Sequence, residues 1–290
     1  MGARLPLVGM LIAIEIVIAG FAIYSLTGHR TIFAGSGGGF HSMNYTAPPV
    51  APVAVGGAPT IAIDDPSDRV IVTVSNDRFV HVVDRTQVSG MLWGTPRIAP
   101  LHVDRTPNGV SITRAANGDF MSIGFQSSTE RIEVQVPSDA VLAIARCGGA
   151  EINGTQGGVT AHSVDGSILL ADLHGPVDVR DDDGRIEARR IVADTFSARS
   201  NDGRIILDGV ASPKIDVNTL DGRIIATFPS NTDATINART DDGNINRDGT
   251  RINHGDGDVA VETITLGSGA GKVALATNDG TISIFTNGAN

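Results

Sequence analysis

The chain has 290 residues, of which 41% are hydrophobic and only 4% aromatic, with 35 glycines. Its formal net charge of −10 argues against a nucleic-acid-binding protein, because an acidic surface repels phosphates. The single cysteine, Cys147, excludes an internal disulfide and a cysteine-rich metal site. This composition predicts a β-rich, glycine-rich protein whose core consists of Val, Ile, Leu and Ala.

The first feature along the chain is a 22-residue apolar segment, Leu5 to Leu26, interrupted only by Glu15. At about 1.5 Å per residue, a helix over this segment would reach roughly 33 Å and cross the core of a bilayer. A cleaved signal peptide is the alternative, although its apolar region is usually about 7–15 residues long. We therefore predict a single-pass anchor over residues 1–27. It would lie in a bacterial inner membrane, with the β domain in the periplasm or outside.

Glu15 lies near the middle of this predicted span. A carboxyl group inside lipid is costly and often faces a partner helix or a polar cavity. Because one helix has no interior of its own, we predict that Glu15 contacts another membrane subunit. A protonated side chain tolerated by lipid is the alternative.

Residues 28–59 have the composition of a linker. The run Gly35 to Gly39 is flexible, and Tyr45 to Pro59 combines stiff prolines with glycine breaks. The stretch has few charges and several apolar residues, so it is unlike a well-solvated spacer. We expect it to lie along another surface.

Residues 60–146 are predicted to form a β-rich entry or capping segment, because their apolar residues recur with a period of two. Val70 to Ser75 and Arg78 to Val83 flank Asn76-Asp77 and predict a hairpin. Turn signals at Asn108-Gly109 and Asn117-Gly118 precede further strands. No stretch after Thr60 has a sustained helical period, so an enzyme built on helix-flanked sheets is not expected.

Residues 147–290 repeat an Asp-Gly-x-Ile unit. The aspartates follow one another at intervals of 18, 19, 19, 21 and 37 residues, the last being close to two periods. The glycines of the six units are Gly166, Gly184, Gly203, Gly222, Gly243 and Gly280.

Two architectures fit this repeat. In a β-solenoid each unit of about 19 residues is one coil, stacked about 4.8 Å from the next. In a meander each Asp-Gly is a hairpin turn of an antiparallel sheet. The near-constant spacing favours the solenoid, in which the corner glycines would form a ladder and supply a positive φ. The expected fold is all-β: one N-terminal transmembrane helix, a linker, the entry segment and the solenoid.

These features resemble the bacterial putative-adhesin domain of unknown function. The step Val136-Pro137 with Leu142 matches the family's V-P-x-x-x-x-L pattern, and the six corner glycines match its T-x-x-G-x-I coil. The resemblance covers about Ile61 to Phe285 and implies a β-solenoid without catalytic residues. Gly255 to Gly271 departs from the repeat.

The Asp-rich corners suggest a calcium site around Asp181 to Asp183 and Asp241-Asp242. No EF-hand pattern is present, however, and an Asp-Gly corner needs no metal because Asp caps the turn. We therefore predict no metal and no cofactor, with calcium at a corner left open.

Arg185, Arg204 and Arg223 follow one another at 19-residue intervals and should stack along one edge. Like charges about 5 Å apart repel unless acids lie between them. Asp183, Asp202 and Asp221 would supply these acids in a self-neutralising ladder. The alternative is a charged strip that binds a partner or a polysaccharide.

The sequence does not favour catalysis. The seven histidines are scattered, and no metalloprotease, nucleophile-elbow or phosphate-loop motif is present. Carboxylates are numerous, but no glycosidase pair stands out.

The segment Val88 to Pro100 fits neither the strand pattern nor the repeat. It is predicted to be a loop that contains Met91, Leu92 and Trp93. Such residues are enriched at interface cores. The loop is therefore a candidate partner-binding surface, or else a cap on the first end of the solenoid.

These observations predict a non-enzymatic, membrane-anchored interaction protein. One hypothesis is a structural subunit that docks on a larger inner-membrane complex, for example a respiratory or photosynthetic assembly. The other is an envelope adhesin that binds polysaccharide or another surface.

Overall fold

The computed structural model describes residues 40–93, 99–115, 123–252 and 259–286. These residues form strands and no helix, as the absence of a 3.6-residue period predicts. Within them, no helix is long and apolar enough to cross a membrane. The predicted anchor over residues 1–27, including Glu15, lies outside the described residues.

The described strands, in chain order, are β1 (Phe40–Thr46), β2 (Val53–Ala54), β3 (Thr60–Asp65), β4 (Arg69–Ser75), β5 (Phe79–Asp84), β6 (Gln87–Trp93), β7 (His102–Thr106), β8 (Gly109–Thr113), β9 (Ile123–Thr129), β10 (Arg131–Pro137), β11 (Val141–Cys147), β12 (Ala150–Asn153), β13 (Val159–Ser163), β14 (Ile168–Ala171), β15 (Val177–Asp181), β16 (Arg185–Val192), β17 (Phe196–Ser200), β18 (Arg204–Ala211), β19 (Lys214–Thr227), β20 (Ala234–Arg247), β21 (Thr250–Arg251), β22 (Ala260–Leu266) and β23 (Gly271–Phe285).

The strands stack into two sheets, here called the A face and the B face. The A face runs in the order β7, β8, β3, β11, β13, β15, β17, β19, β23, β20, β22. The B face runs β2, β5, β10, β4, β12, β14, β16, β18, β19, β23, β20, β21. Strands β19, β23 and β20 belong to both faces because each bends through its Asp-Gly corner.

Successive coils pair in parallel, so the fold is a β-solenoid and not a meander. In β15, for example, Val177 and Val179 are buried while Asp178 and Arg180 face solvent. The inward residues of both faces join one aliphatic core, in which Phe196 and Phe228 are the largest fully buried side chains. Apart from β6 and β9, the strands of residues 60–146 belong to the same stack as the repeats.

The last coil is inserted out of sequence order. The 37-residue interval from Asp242 to Asp279 suggests two further coils at the end of the rod. Instead, β23 lies between β19 and β20, with Asp279 paired to Asp221 on one side and to Asp242 on the other. The extra residues form β22, which runs antiparallel along the outer edge of β20 on the A face.

The hairpin predicted around Asn76-Asp77 is wrong. Strands β4 and β5 form, but β10 lies between them, parallel to β4 and antiparallel to β5. A local turn signal cannot reveal a strand that enters from a distant part of the chain. The turn at Asn108-Gly109 does join an antiparallel pair, β7 and β8.

Three strands form a separate small sheet in the order β1, β6, β9. Strand β1 and the short β2 both lie within the stretch 28–59, which has linker composition. Residues Met91 to Trp93, predicted to be in a loop, instead end the central strand β6. That prediction is wrong because β6 gains partners on both sides, from β1 and β9.

Candidate interaction surface

The corner glycines form the predicted ladder, but for a different physical reason. Their φ angles are not positive. A Cβ on Gly203 would lie less than 3.0 Å from the carbonyl oxygen of Gly184, and the other corner glycines are crowded in the same way. Glycine is required because the backbones of stacked corners approach closely. The six members of this ladder are Gly166, Gly184, Gly203, Gly222, Gly280 and Gly243, in spatial order.

Positive φ angles occur instead at a second bend of the coil, which directly follows β12 and β14 and lies within β16 and β18. Gly154, Asp172, Arg190 and Gly209 occupy it with φ between 50° and 84°. The Arg190 guanidinium forms two hydrogen bonds of 2.7 Å with the Asp172 carboxylate of the preceding coil. This salt bridge holds together two residues in the left-handed region, where an L side chain is disfavoured.

Arg185, Arg204 and Arg223 stack in register on the B face, as the repeat predicts. We call them the Arg row. All three side chains are exposed and follow directly after the corner glycines. Adjacent members lie about one strand spacing, roughly 4.8 Å, apart.

The Arg row is not neutralised by the preceding corner aspartates. Arg185 pairs at 2.9 Å with Glu187, which also contacts Arg189. Residues two apart on a strand share a face, so Glu187 lies beside Arg185 while Asp183 lies before the corner. Among the residues the structure describes, Arg204 and Arg223 have no ion pair. The prediction of an Asp-neutralised ladder is therefore wrong.

Next to the Arg row, the middle of the B face alternates aliphatic residues with glutamates. In register, this row contains Val83, Glu133, Ile71, Glu151, Leu169, Glu187, Ile206 and Ile225. Each glutamate is paired with an arginine: Glu133 with Arg85 and Arg131, Glu151 with Arg69. Beyond Glu187 the glutamates stop. Ile206 and Ile225 are half-buried beside the unpaired Arg204 and Arg223.

A second ladder, of buried polar side chains, lines the inside of the Asp-Gly corner. Its members in spatial order are Arg114, Asp65, Cys147, Ser163, Asp181, Ser200, Thr219, Thr277 and Thr240. The threonines repeat one interaction. Thr219 Oγ1 donates to the Asn201 carbonyl at 3.1 Å, and Thr277 and Thr240 donate likewise to the next corner. The hydroxyls thus add a further link between neighbouring corners, since the Asn201 carbonyl also accepts from the backbone N–H groups of Leu220 and Asp221.

Asp181 is the carboxylate in the middle of this ladder. Its side chain is fully buried, and its polar neighbours, the Ser163 hydroxyl and the Gly184 backbone N–H, oppose the effect of burial on its pKa without cancelling it. Burial raises the pKa of Asp181 to about 7, with Asp182 and Asp183 adding repulsion. The group therefore holds its proton well above the usual range of an aspartic acid. An inward-facing, fully buried Asp181 is not placed to join Asp182 and Asp183 in a calcium site.

The ladder begins at an ionic cluster that the sequence analysis did not identify. Arg114 contacts Asp65 at 2.8 Å, Asp84 at 2.7 Å and Asp68 at 3.1 Å, and all four side chains are buried. One guanidinium faces three carboxylates, and Asp68 Oδ1 has no partner. Burial and the negative charge of Asp65 raise the pKa of Asp68 to about 7.

Other chemistry-bearing groups are inert or dispersed. Cys147 is buried, and burial raises the pKa of its thiol to about 11, so the reactive thiolate is scarce. Within the described ranges, no group of three or more His, Cys, Asp or Glu side chains could hold a metal ion.

The candidate partner-binding residues Met91, Leu92 and Trp93 lie apart from the Arg row, on the small three-stranded sheet. There Trp93 is in register with Phe40 on one side and Ile123 on the other. The structure therefore does not bring the predicted candidates into one site.

Comparison with known proteins identifies the chain's relatives. The family model described as Toastrack DUF4097 matches residues 101–290. No curated protein matches the chain.

Two crystal structures are similar, both at low identity. One is of a putative cell adhesion protein from Clostridium sporogenes, 8% identical, with a TM-score of 0.31 over 85% of this chain and 99% of that one. The other is of a putative adhesin from Bacteroides fragilis, 12% identical, with a TM-score of 0.25 over 85% and 97%. The family match covers well over half of the sequence, and the chain therefore belongs to the Toastrack DUF4097 family.

Proposed function

We propose that this protein is a non-enzymatic interaction subunit anchored in a bacterial inner membrane by residues 1–27. Its solenoid lies on the periplasmic or outer side and docks on a larger assembly in that membrane, such as a respiratory or photosynthetic complex. The observation that supports docking is the small sheet of β1, β6 and β9. Its strands pair with one another and, within the described residues, not with the solenoid faces.

The position of this sheet favours it as the contact with a membrane partner. Strand β1 is the first described element after the apolar N-terminal segment. Its first residue, Phe40, pairs with Trp93, which in turn pairs with Ile123. Aromatic residues and methionine are enriched at the centres of protein interfaces.

The test is native electrophoresis of membranes solubilised in mild detergent, followed by mass spectrometry of the band that contains this chain. Migration within a large, defined complex supports docking and identifies the partner. Migration near 30 kDa, or as a small homo-oligomer, contradicts it.

Three variants examine the residues assigned to the contact. Trp93→Ala should reduce the fraction of chain in the complex, whereas Trp93→Phe, which keeps an aromatic ring, should retain most of it. Glu15→Leu should also weaken co-purification. A Trp93→Ala protein that is less heat-stable but still fully assembled would instead indicate a purely structural role.

A second candidate function is that of an envelope adhesin that binds a polysaccharide. The observation that favours it is the pair of exposed, unneutralised guanidiniums of Arg204 and Arg223 on a flat sheet face. Binding of purified polysaccharides by the full chain, without a stable membrane complex, would favour this role over docking.

A further inference from the structure

We propose that the B face binds a linear polysaccharide that carries a carboxylate on its sugar residues, at Arg204, Arg223, Ile206 and Ile225. This inference rests on the adhesin candidate and specifies both the ligand class and the site. Four observations support it: the unpaired charge of Arg204 and Arg223, the register of these two residues, the apolar row beside them, and the short length over which the Arg row is unpaired.

The stacked guanidiniums of the Arg row leave positive charge without a partner on this face. Arg204 and Arg223 lie one coil apart with no described ion partner, although aspartates and glutamates outnumber cationic residues, 32 to 22. Elsewhere on this face arginines are neutralised, as Arg185 is by Glu187 at 2.9 Å. Two like charges roughly 4.8 Å apart repel, and a carboxylate from a ligand would relieve that repulsion. Guanidinium also matches carboxylate geometry through paired hydrogen bonds.

The register of the two arginines favours a ligand with repeating units. Arg204 and Arg223 occupy equivalent positions on parallel coils, so the site presents the same group at a constant spacing. A partner with identical repeating units can satisfy both positions in the same way. A folded protein or a peptide of varied sequence gains nothing from this repetition.

The apolar row lies beside the charges. Ile206 and Ile225 are register partners, two residues after Arg204 and Arg223, and face outward while only half-buried. The C–H face of a sugar ring can pack on such aliphatic groups while its carboxylate reaches the guanidinium. A purely electrostatic site for a phosphate polymer would not need this second row.

The unpaired positive charge of the Arg row ends at a defined residue on each side. The register positions beyond Arg223 are occupied by Thr281 and then Asn244, which are uncharged hydrogen-bonding residues. At the other end, Arg185 is already paired with Glu187. The free positive charge is thus confined to two coils, which suits a polymer with one charge per sugar better than a densely charged nucleic acid.

The test measures binding of polygalacturonate to the full chain in detergent micelles by titration calorimetry. Fully methyl-esterified polygalacturonate is the matched ligand, because it keeps the backbone and removes the carboxylates. The variant is the double substitution Arg204→Gln and Arg223→Gln. The control is Arg199→Gln, which removes an exposed arginine from the A face, where it pairs with Asp178 and Asp216.

We expect the wild-type chain to bind the acid polymer, more weakly as salt rises, and the ester at least about tenfold more weakly. The double variant should lose about tenfold or more in affinity for the acid polymer, while Arg199→Gln stays within about twofold. Ile225→Asp should also weaken binding.

Four outcomes would overturn the inference. Equal binding of acid and ester would exclude carboxylate recognition but leave the adhesin candidate standing. Equal binding by wild type and double variant would exclude this site. Duplex DNA binding as tightly as polygalacturonate would exclude carbohydrate selectivity. If the chain binds no polysaccharide, acidic or neutral, the adhesin candidate fails with the inference.

Discussion

The corner glycine Gly280 packs against the carbonyl oxygen of Gly222, although the whole coil of Asp242 comes between them in the sequence. The carbonyl of Gly280 is in turn covered by Gly243. The order of the last coils in space therefore differs from their order along the chain.

This order can be tested by cross-linking. Ile225 and Ser283 are register partners on adjacent strands, whereas Ile225 and Asn246 are separated by the intervening β23. Disulfides require Cα atoms within about 7 Å, and strands two apart are about 9.6 Å from each other. We expect Ile225→Cys with Ser283→Cys to form a disulfide on mild oxidation, and Ile225→Cys with Asn246→Cys not to. The reverse result, detected by non-reducing mass spectrometry, would mean that the coils stack in sequence order.

Substitution of a corner glycine should be severely destabilising. In Gly203→Ala, the new methyl group would clash with the Gly184 carbonyl and the Ser200 hydroxyl. The backbone cannot yield without separating two coils, so we expect a loss of about 3 kcal/mol in urea unfolding. Gly56→Ala, where nothing lies within 4 Å, is the control and should change stability by less than about 0.5 kcal/mol. Similar stabilities for both variants would refute the close-approach explanation.

Asp181 should make stability depend on pH. Below the ordinary aspartate pKa of 3.8, both folded and unfolded chains hold the proton. Between about pH 4 and pH 7 the unfolded chain loses it while the folded chain keeps it, so this group's contribution makes stability fall as pH rises. The total effect is at most about 4 kcal/mol.

Replacing Asp181 by the hydroxyl that its neighbours use should remove this dependence. We expect Asp181→Ser to be more stable than wild type at pH 7 and to approach it near pH 4. The difference between the two unfolding curves isolates Asp181, because Asp68 is present in both. Asp178→Ser, on the exposed side of the same strand, should show no such convergence. A wild-type advantage at pH 7 would contradict a protonated Asp181.

Loss of the Arg114 guanidinium should be costly because it leaves three buried carboxylates without a cation. We expect Arg114→Met to lose about 3–5 kcal/mol in chemical denaturation. The exposed pair of Arg146 and Asp64 is also held by two hydrogen bonds of 2.8 Å. Because that pair lies in solvent, Arg146→Met should cost far less than Arg114→Met. Equal losses would show that burial does not set the energy of the Arg114 cluster.

Local repetition made much of the solenoid predictable. The 19-residue spacing was sufficient to align Arg185, Arg204 and Arg223, since parallel coils share one contour length. The T-x-x-G-x-I pattern also contained the signal for the buried ladder: Thr219 lies three residues before Gly222, as Ser163 does before Gly166.

The pairing of strands and side chains that are distant in the sequence was not predictable in the same way. Nothing near Asn76-Asp77 indicates that β10 will separate β4 from β5, and no spacing reveals that β23 enters beside β19. The neutralisation of Arg185 by Glu187 depends on which residues share a sheet face. The Arg114 cluster brings together residues from four strands or their ends, which no single window of sequence contains.

The out-of-order coil also affects when the domain can be completed. Coils up to that of Asp221 can form as the chain emerges, but the Asp242 coil is joined to them through β23, which is made last. A chain cut short before Gly271 would leave two open sheet edges on each face. The complete stack can therefore form only after the chain has been synthesised beyond Gly271. A protease working inward from the C-terminus would have to extract an internal strand before the stack could unravel.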